Sequence, residues 1–110
     1  MYQGTTPTYL LKIYGYDLTD KRVFVTIQGK FKRVTKTDDD LTITYEENVS
    51  AIAFGLTQEE TLGFEPGAVK MQVRFIDANG IALATEVSEI EVKPVLFRKV
   101  IAYEPDEAEE

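Results

Sequence analysis

At 110 residues, with a hydrophobic fraction of 44% and with six Tyr and six Phe but no Trp, the chain is sized for one globular domain around one core. It has neither Cys nor His, which removes disulfides, thiolate nucleophiles, zinc-thiolate sites, histidine general bases and imidazole metal sites together. The net charge of −7 is concentrated: five of the 19 acids fall in residues 104–110 and the rest of the chain sets 14 acids against 12 bases, so no surface for following a phosphate backbone is expected.

The start, Met1 to Pro7, has no basic and no apolar stretch of signal-peptide type, and no apolar run approaches the roughly 18 residues of a membrane span. A chain kept in a cytoplasm, without membrane association, is the expectation. Thr8 to Tyr14 alternates as a strand with Tyr9, Leu11 and Ile13 on one face, and Gly15 with the polar stretch 17–20 ends it. Arg22 to Gln28 sets Val23, Val25 and Ile27 against Phe24 and Thr26, a firm strand signal. Gly29-Lys30 reads as a two-residue hairpin connection into a strand over 31–37. The densest basic group, Lys30, Lys32, Arg33 and Lys36, is followed at once by Asp38, Asp39 and Asp40, a turn by composition.

Leu41, Ile43 and Tyr45 then share a face expected to be buried, and Glu46-Glu47-Asn48 turns the chain into 49–56, with Ile52, Phe54 and Leu56 inward. Thr57 and Glu60 have capping-box spacing and predict one helical turn over 57–62. Pro66-Gly67 stops it. Val69, Met71, Val73 and Phe75 alternate with Lys70, Gln72 and Arg74 in the clearest strand of the chain, and Asp77-Ala78-Asn79-Gly80 signals a hairpin. The following alternation, Ile81, Leu83, Thr85, Val87 and then Ile90, Val92, contains a gap of three where two is regular, which predicts a bulge or a change of sheet near Ser88-Glu89. Beyond Pro94, the apolar residues Leu96, Phe97, Val100 and Ile101 fit a helical stripe as well as a strand.

These elements define an all-β fold, an immunoglobulin-like antiparallel β-sandwich of about seven strands with one short helical turn. The sandwich is expected to occupy residues 1–103 as a single domain, and 104–110 to form an acidic, solvated and disordered tail.

Candidate chemistry is sparse. Asp38 to Asp40 lacks the spaced acids, the central Gly and the terminal Glu of a helix-loop-helix calcium site, and reads as a solvated turn. A carboxylate pair of glycosidase type needs a deep cleft, for which so small a domain has little room. No catalytic, cofactor or metal residue is assigned, and no enzymatic activity is expected. Tyr2, Tyr9, Tyr14 and Tyr16 crowd the start of the chain, where tyrosines stack on sugars in carbohydrate-binding β-sandwich modules; coverage of a sheet edge is the simpler reading. The two ends of the chain carry more apolar side chains than solvated termini need. Tyr2 and Tyr9 at one end, and Val95, Leu96, Phe97, Val100, Ile101 and Tyr103 at the other, are therefore the candidate interaction surface.

The order of segments carries a resemblance: Asp17-Leu18-Thr19 before a Val-Phe-Val strand, then Leu56-Thr57-Gln58-Glu59-Glu60-Thr61, Pro66-Gly67, Val69-Lys70-Met71-Gln72-Val73-Arg74-Phe75, Asn79-Gly80, Leu83-Ala84-Thr85 and Ile90-Glu91-Val92. Over about Thr6 to Val92 the chain resembles the small immunoglobulin-like structural proteins of phages and prophages of Gram-positive bacteria, and is similar to the N-terminal domain of phage baseplate upper proteins. The resemblance implies a non-enzymatic virion or assembly component of tail or baseplate type. Its partners would be other phage structural proteins or further copies of itself, in a homo-oligomer or symmetric assembly made in the host cytoplasm. Baseplate upper proteins continue into a stalk and receptor-binding assembly, whereas this sequence passes into 104–110, which argues against a direct part in receptor binding.

Overall fold

The computed structural model describes residues 1–104. Among the described residues eight strands pair into two antiparallel sheets, and the central ones, β2, β5 and β6, bury every second residue. In chain order they are β1 (Thr8–Tyr14), β2 (Arg22–Gln28), β3 (Arg33–Thr37), β4 (Thr42–Glu46), β5 (Val49–Gly55), β6 (Gly67–Ile76), β7 (Ala82–Ala84) and β8 (Ser88–Val92). A 3-10 turn occupies Asp38–Asp40, and one short helix, α1 (Gln58–Leu62), crosses between the sheets.

The smaller sheet runs β1-β5-β4 and the larger β3-β2-β6, with β7 and β8 both on the far edge of β6. This is the Greek-key pairing of an immunoglobulin-like sandwich: β1, β4 and β5 stand where strands B, D and E stand, and β2, β3, β6 and the β7–β8 pair take the places of C, C′, F and G. β7 and β8 act as one interrupted strand. Arg74 faces Ala84 while Met71 faces Ser88, so four steps on one side match three on the other, which is a bulge over 85–87 within one sheet. Of the two outcomes that the spacing left open, the chain takes the bulge and does not change sheet.

Val23, Val25 and Ile27 of β2, Val69, Met71, Val73 and Phe75 of β6, and Ile52 and Phe54 of β5 meet between the sheets as the alternation requires. Ile43 packs against this core, but Tyr45 is exposed, because β4 is a five-residue edge strand and among the described residues no strand lies beyond it to cover the ring. Leu18, from the connection between β1 and β2, is fully buried, and so is Phe64, from the segment between α1 and β6.

Three turns differ from their sequence signals. Gln28 and Arg33 close a four-residue connection in which the Gly29 N–H donates to the Lys32 carbonyl at 2.7 Å, so Phe31 stands exposed in the turn and not in a strand. At Asn79-Gly80 only Gly80 takes a positive φ, and the Asp77 carboxylate accepts from Asn79 N–H and Ile81 N–H, giving the longer turn with a glycine bulge. The tight two-residue turn with both residues at positive φ falls instead at Glu47-Asn48.

Candidate functional site

The end of the sandwich that carries α1 gathers both terminal segments. Thr57 caps the helix: its hydroxyl accepts from Glu60 N–H at 3.1 Å while the Glu60 carboxylate accepts from Thr57 N–H at 2.9 Å, the reciprocal pair that the sequence spacing predicts. The same Glu60 oxygen receives the Lys36 ammonium at 2.8 Å, which ties α1 to β3. Lys32 Nζ reaches the Glu59 carbonyl at 3.2 Å. The buried Thr61 hydroxyl donates to the Thr5 carbonyl at 2.9 Å, and the buried Gln3 amide donates to the Phe64 carbonyl at 2.8 Å. Met1 to Gln3 lie parallel to the end of β8, with Lys93 N–H donating to the Met1 carbonyl at 2.7 Å and Gln3 N–H to the Lys93 carbonyl at 3.0 Å.

Burial pushes the Glu60 carboxyl up, and the hydrogen bonds from Lys36 and from Thr57 N–H pull it down further, leaving it below the ordinary glutamate range. A group whose folded-state pKa is depressed stabilises the fold above its unfolded pKa and loses that contribution as the pH falls through the folded value. Acidification from neutrality to about pH 3 should therefore lower the melting temperature of the wild type more than that of Glu60→Gln, which keeps the shape of the cap without the charge. Equal drops in a pair of thermal melts would remove Glu60 from the acid response.

From the end of β8 the chain enters no further helix or strand among the described residues, so the choice between strand and helical stripe over 95–103 resolves to neither. Val95 lies beside Gly4. The Gln58 side-chain amide holds Ile101 by both backbone groups, donating to its carbonyl at 2.9 Å and accepting from its N–H at 2.8 Å. Leu96 is fully exposed, and Phe97, Val100, Ile101 and Tyr103 are all at least half exposed. Tyr2 is half exposed at the root of the segment, with the Lys93 ammonium 5.6 Å from its ring centroid.

Tyr9 does not join this group. Its ring stacks on Phe54 at 5.6 Å and burial raises the pKa of its hydroxyl, because position 9 lies on the inward face of β1. The four N-terminal tyrosines share no face: Tyr14 points outward from β1, 70% exposed, and Tyr16 packs against Phe75 at 5.3 Å.

A feature that the sequence reading passed over is the outer edge of β1. β1 ends its sheet, so among the described residues no strand lies beyond it. The Leu56 N–H to Pro7 carbonyl and Gly15 N–H to Asn48 carbonyl bonds fix which residues bond inward. Tyr9, Leu11 and Ile13 turn their backbone groups to β5, and Thr8, Leu10, Lys12 and Tyr14 turn theirs to the open side.

Two acids of the triplet 38–40 are engaged in local structure. Arg22 grips Asp38 through Nε at 3.2 Å and Nη2 at 3.0 Å, holding its carboxyl below the usual range, and Asp40 accepts from Thr37 N–H. Among the described residues no three acids converge as a metal site would need, and no helix is long and apolar enough to cross a membrane. Compared with known proteins, the chain matches no family model and no curated sequence.

Proposed function

We propose that this chain is a non-enzymatic structural or accessory protein, of the phage tail or baseplate type that its sequence resembles, acting through protein–protein contacts with copies of itself or with other structural proteins of the same particle. The observation that carries the reading is the segment 95–103. It presents Leu96, Phe97, Val100, Ile101 and Tyr103 to solvent after a core that already ends at Val92. Contiguous exposed apolar surface of this kind marks interaction sites on small soluble domains. The acidic 104–110, which lies outside the described residues except for Glu104, would keep unassembled copies apart by repulsion.

Three chains test it: the full chain, one lacking 104–110 and one lacking 95–110. Every buried core residue precedes position 93, so the last should retain the sandwich. Light scattering after size exclusion should find the first two self-associated, or retaining a partner in a pull-down, and the third monomeric and partnerless. Identical monomeric masses for all three, with no partner lost, would overturn the reading.

A further inference from the structure

We infer that the open edge of β1 is the acceptor for segment 95–103 of a second copy, which adds to the smaller sheet as a fourth strand. The inference rests on the proposed function and names the partner and the contact. In a complete immunoglobulin-like sandwich strand A lies against strand B, and here β1 occupies the B position with that side open. Four N–H and four C=O groups, those of Thr8, Leu10, Lys12 and Tyr14, therefore face outward along seven residues of regular strand. Such an edge is a template for strand addition unless it is short, bulged or guarded by charge and proline. The edge at β7–β8 is guarded in this way, since it is broken by the bulge at 85–87 and partly covered by Met1 to Gln3. β1 carries a single charge, Lys12.

Behind the edge runs a shallow groove of about 140 Å³, lined by Leu11, Ile13, Met71 and Val73 together with the polar Lys12 and Gln72, with room for one large apolar side chain. Tyr9, Leu11 and Ile13 are only partly buried, and among the described residues no strand closes the sandwich on this side.

The segment supplies what this site lacks. Its nine residues are long enough to cover the seven of β1. It is held in its own chain by little besides the two Gln58 bonds and the packing of Val95. Paired as a strand, it sets Phe97, Ile101 and Tyr103 on one face and Leu96 and Val100 on the other, and the first set is the larger apolar face to turn toward the groove.

Two full-length variants separate donor from acceptor. Lys12→Pro removes an N–H that faces the open edge and crowds an incoming strand, yet breaks no bond of the β1–β5 ladder. Phe97→Asp with Ile101→Asp spoils the donor at exposed positions. The wild type should run at a multiple of 12.4 kDa and each variant alone as a monomer, while an equimolar mixture should restore a 1:1 complex. A thermal melt of Lys12→Pro and, independently, protection of the Leu10 and Lys12 amides from exchange when a synthetic 95–103 peptide is added to the donor variant guard against a folding defect. If Lys12→Pro associates like the wild type, or the peptide protects no β1 amide, the edge is not the acceptor and the assembly reading stands. If the wild type is monomeric at every concentration, self-addition is overturned, and a partner recovered through 95–103 in the pull-down would still uphold the assembly reading.

Discussion

Phe64→Ala is expected to lower the unfolding free energy by about 3–5 kcal/mol, a large share of the roughly 5–15 kcal/mol available to a domain of this kind. Phe64 is 1% exposed and stands where α1 hands the chain to β6. Its ring lies so close to the β2–β3 turn that a Cβ added to Gly29 would sit 2.8 Å from Phe64 Cδ1. Its carbonyl takes the hydrogen bond of the buried Gln3 amide. Removing the ring opens a cavity among a turn, a helix end and the N-terminal segment, three pieces joined by hydrogen bonds that resist collapse into the space. A urea titration reads the loss, and a change below about 1.5 kcal/mol would mean that the site closes over the gap. The same geometry predicts coupling: Gly29→Ala should destabilise the wild type and cost less, or nothing, once Phe64 is Ala, in a double-mutant cycle.

Ser50→Ala should have the second-largest effect. Ser50 is completely buried near the start of β5, the central strand of the smaller sheet, where its hydroxyl accepts from Leu18 N–H at 2.9 Å and donates to the Tyr16 carbonyl at 2.6 Å. The two bonds draw the β1–β2 connection down onto β5 and let Leu18 plug the core. Alanine fits the space but strands a buried donor and acceptor, at about 1–3 kcal/mol for each group left unpaired. Denaturation should register that loss, and the Leu18 amide should exchange far faster in the variant. Unchanged exchange at Leu18 would show that another group holds the connection.

What the sequence made readable depended on repetition. β2 and β6 each bury every second residue against a full layer, so their inward sets follow from period two alone, and the capping box at Thr57–Glu60 is a local arrangement that needs nothing distant. Leu18, Thr61 and Phe64 are invisible to such patterns, because each lies outside the strands and is buried by a segment far away in the chain, and Ser50, at an inward position of β5, gives no apolar signal. The turns show the same limit. Asn79-Gly80 carries the stronger tight-turn composition, yet the Asp77 side chain imposes a longer loop, while the pairing of β4 with β5 forces Glu47-Asn48 into positive φ. At the candidate site, the apolar content of 95–103 was legible from composition. Its conformation was not, since Leu96-Phe97 and Val100-Ile101 satisfy two periods at once and the chain adopts neither. The open edge of β1 could be found only from strand order.

That strand order also governs how the chain reaches its fold. The central ladders join β1 to β5 and β2 to β6, so Thr8 meets Gly55 and Arg22 meets Ile76, while the local hairpins, β2–β3, β4–β5 and β6–β7, each supply only one flank of a sheet. Loop closure on this scale must precede any reward from core burial, which places the molecule among the slower two-state folders, on the scale of about milliseconds to seconds. The edge of β1 faces outward as an ordered strand only after β5 has arrived beside it. If β1 is the acceptor proposed above, a newly made copy offers that edge only once β1 and β5 have met, and assembly would follow that step of folding.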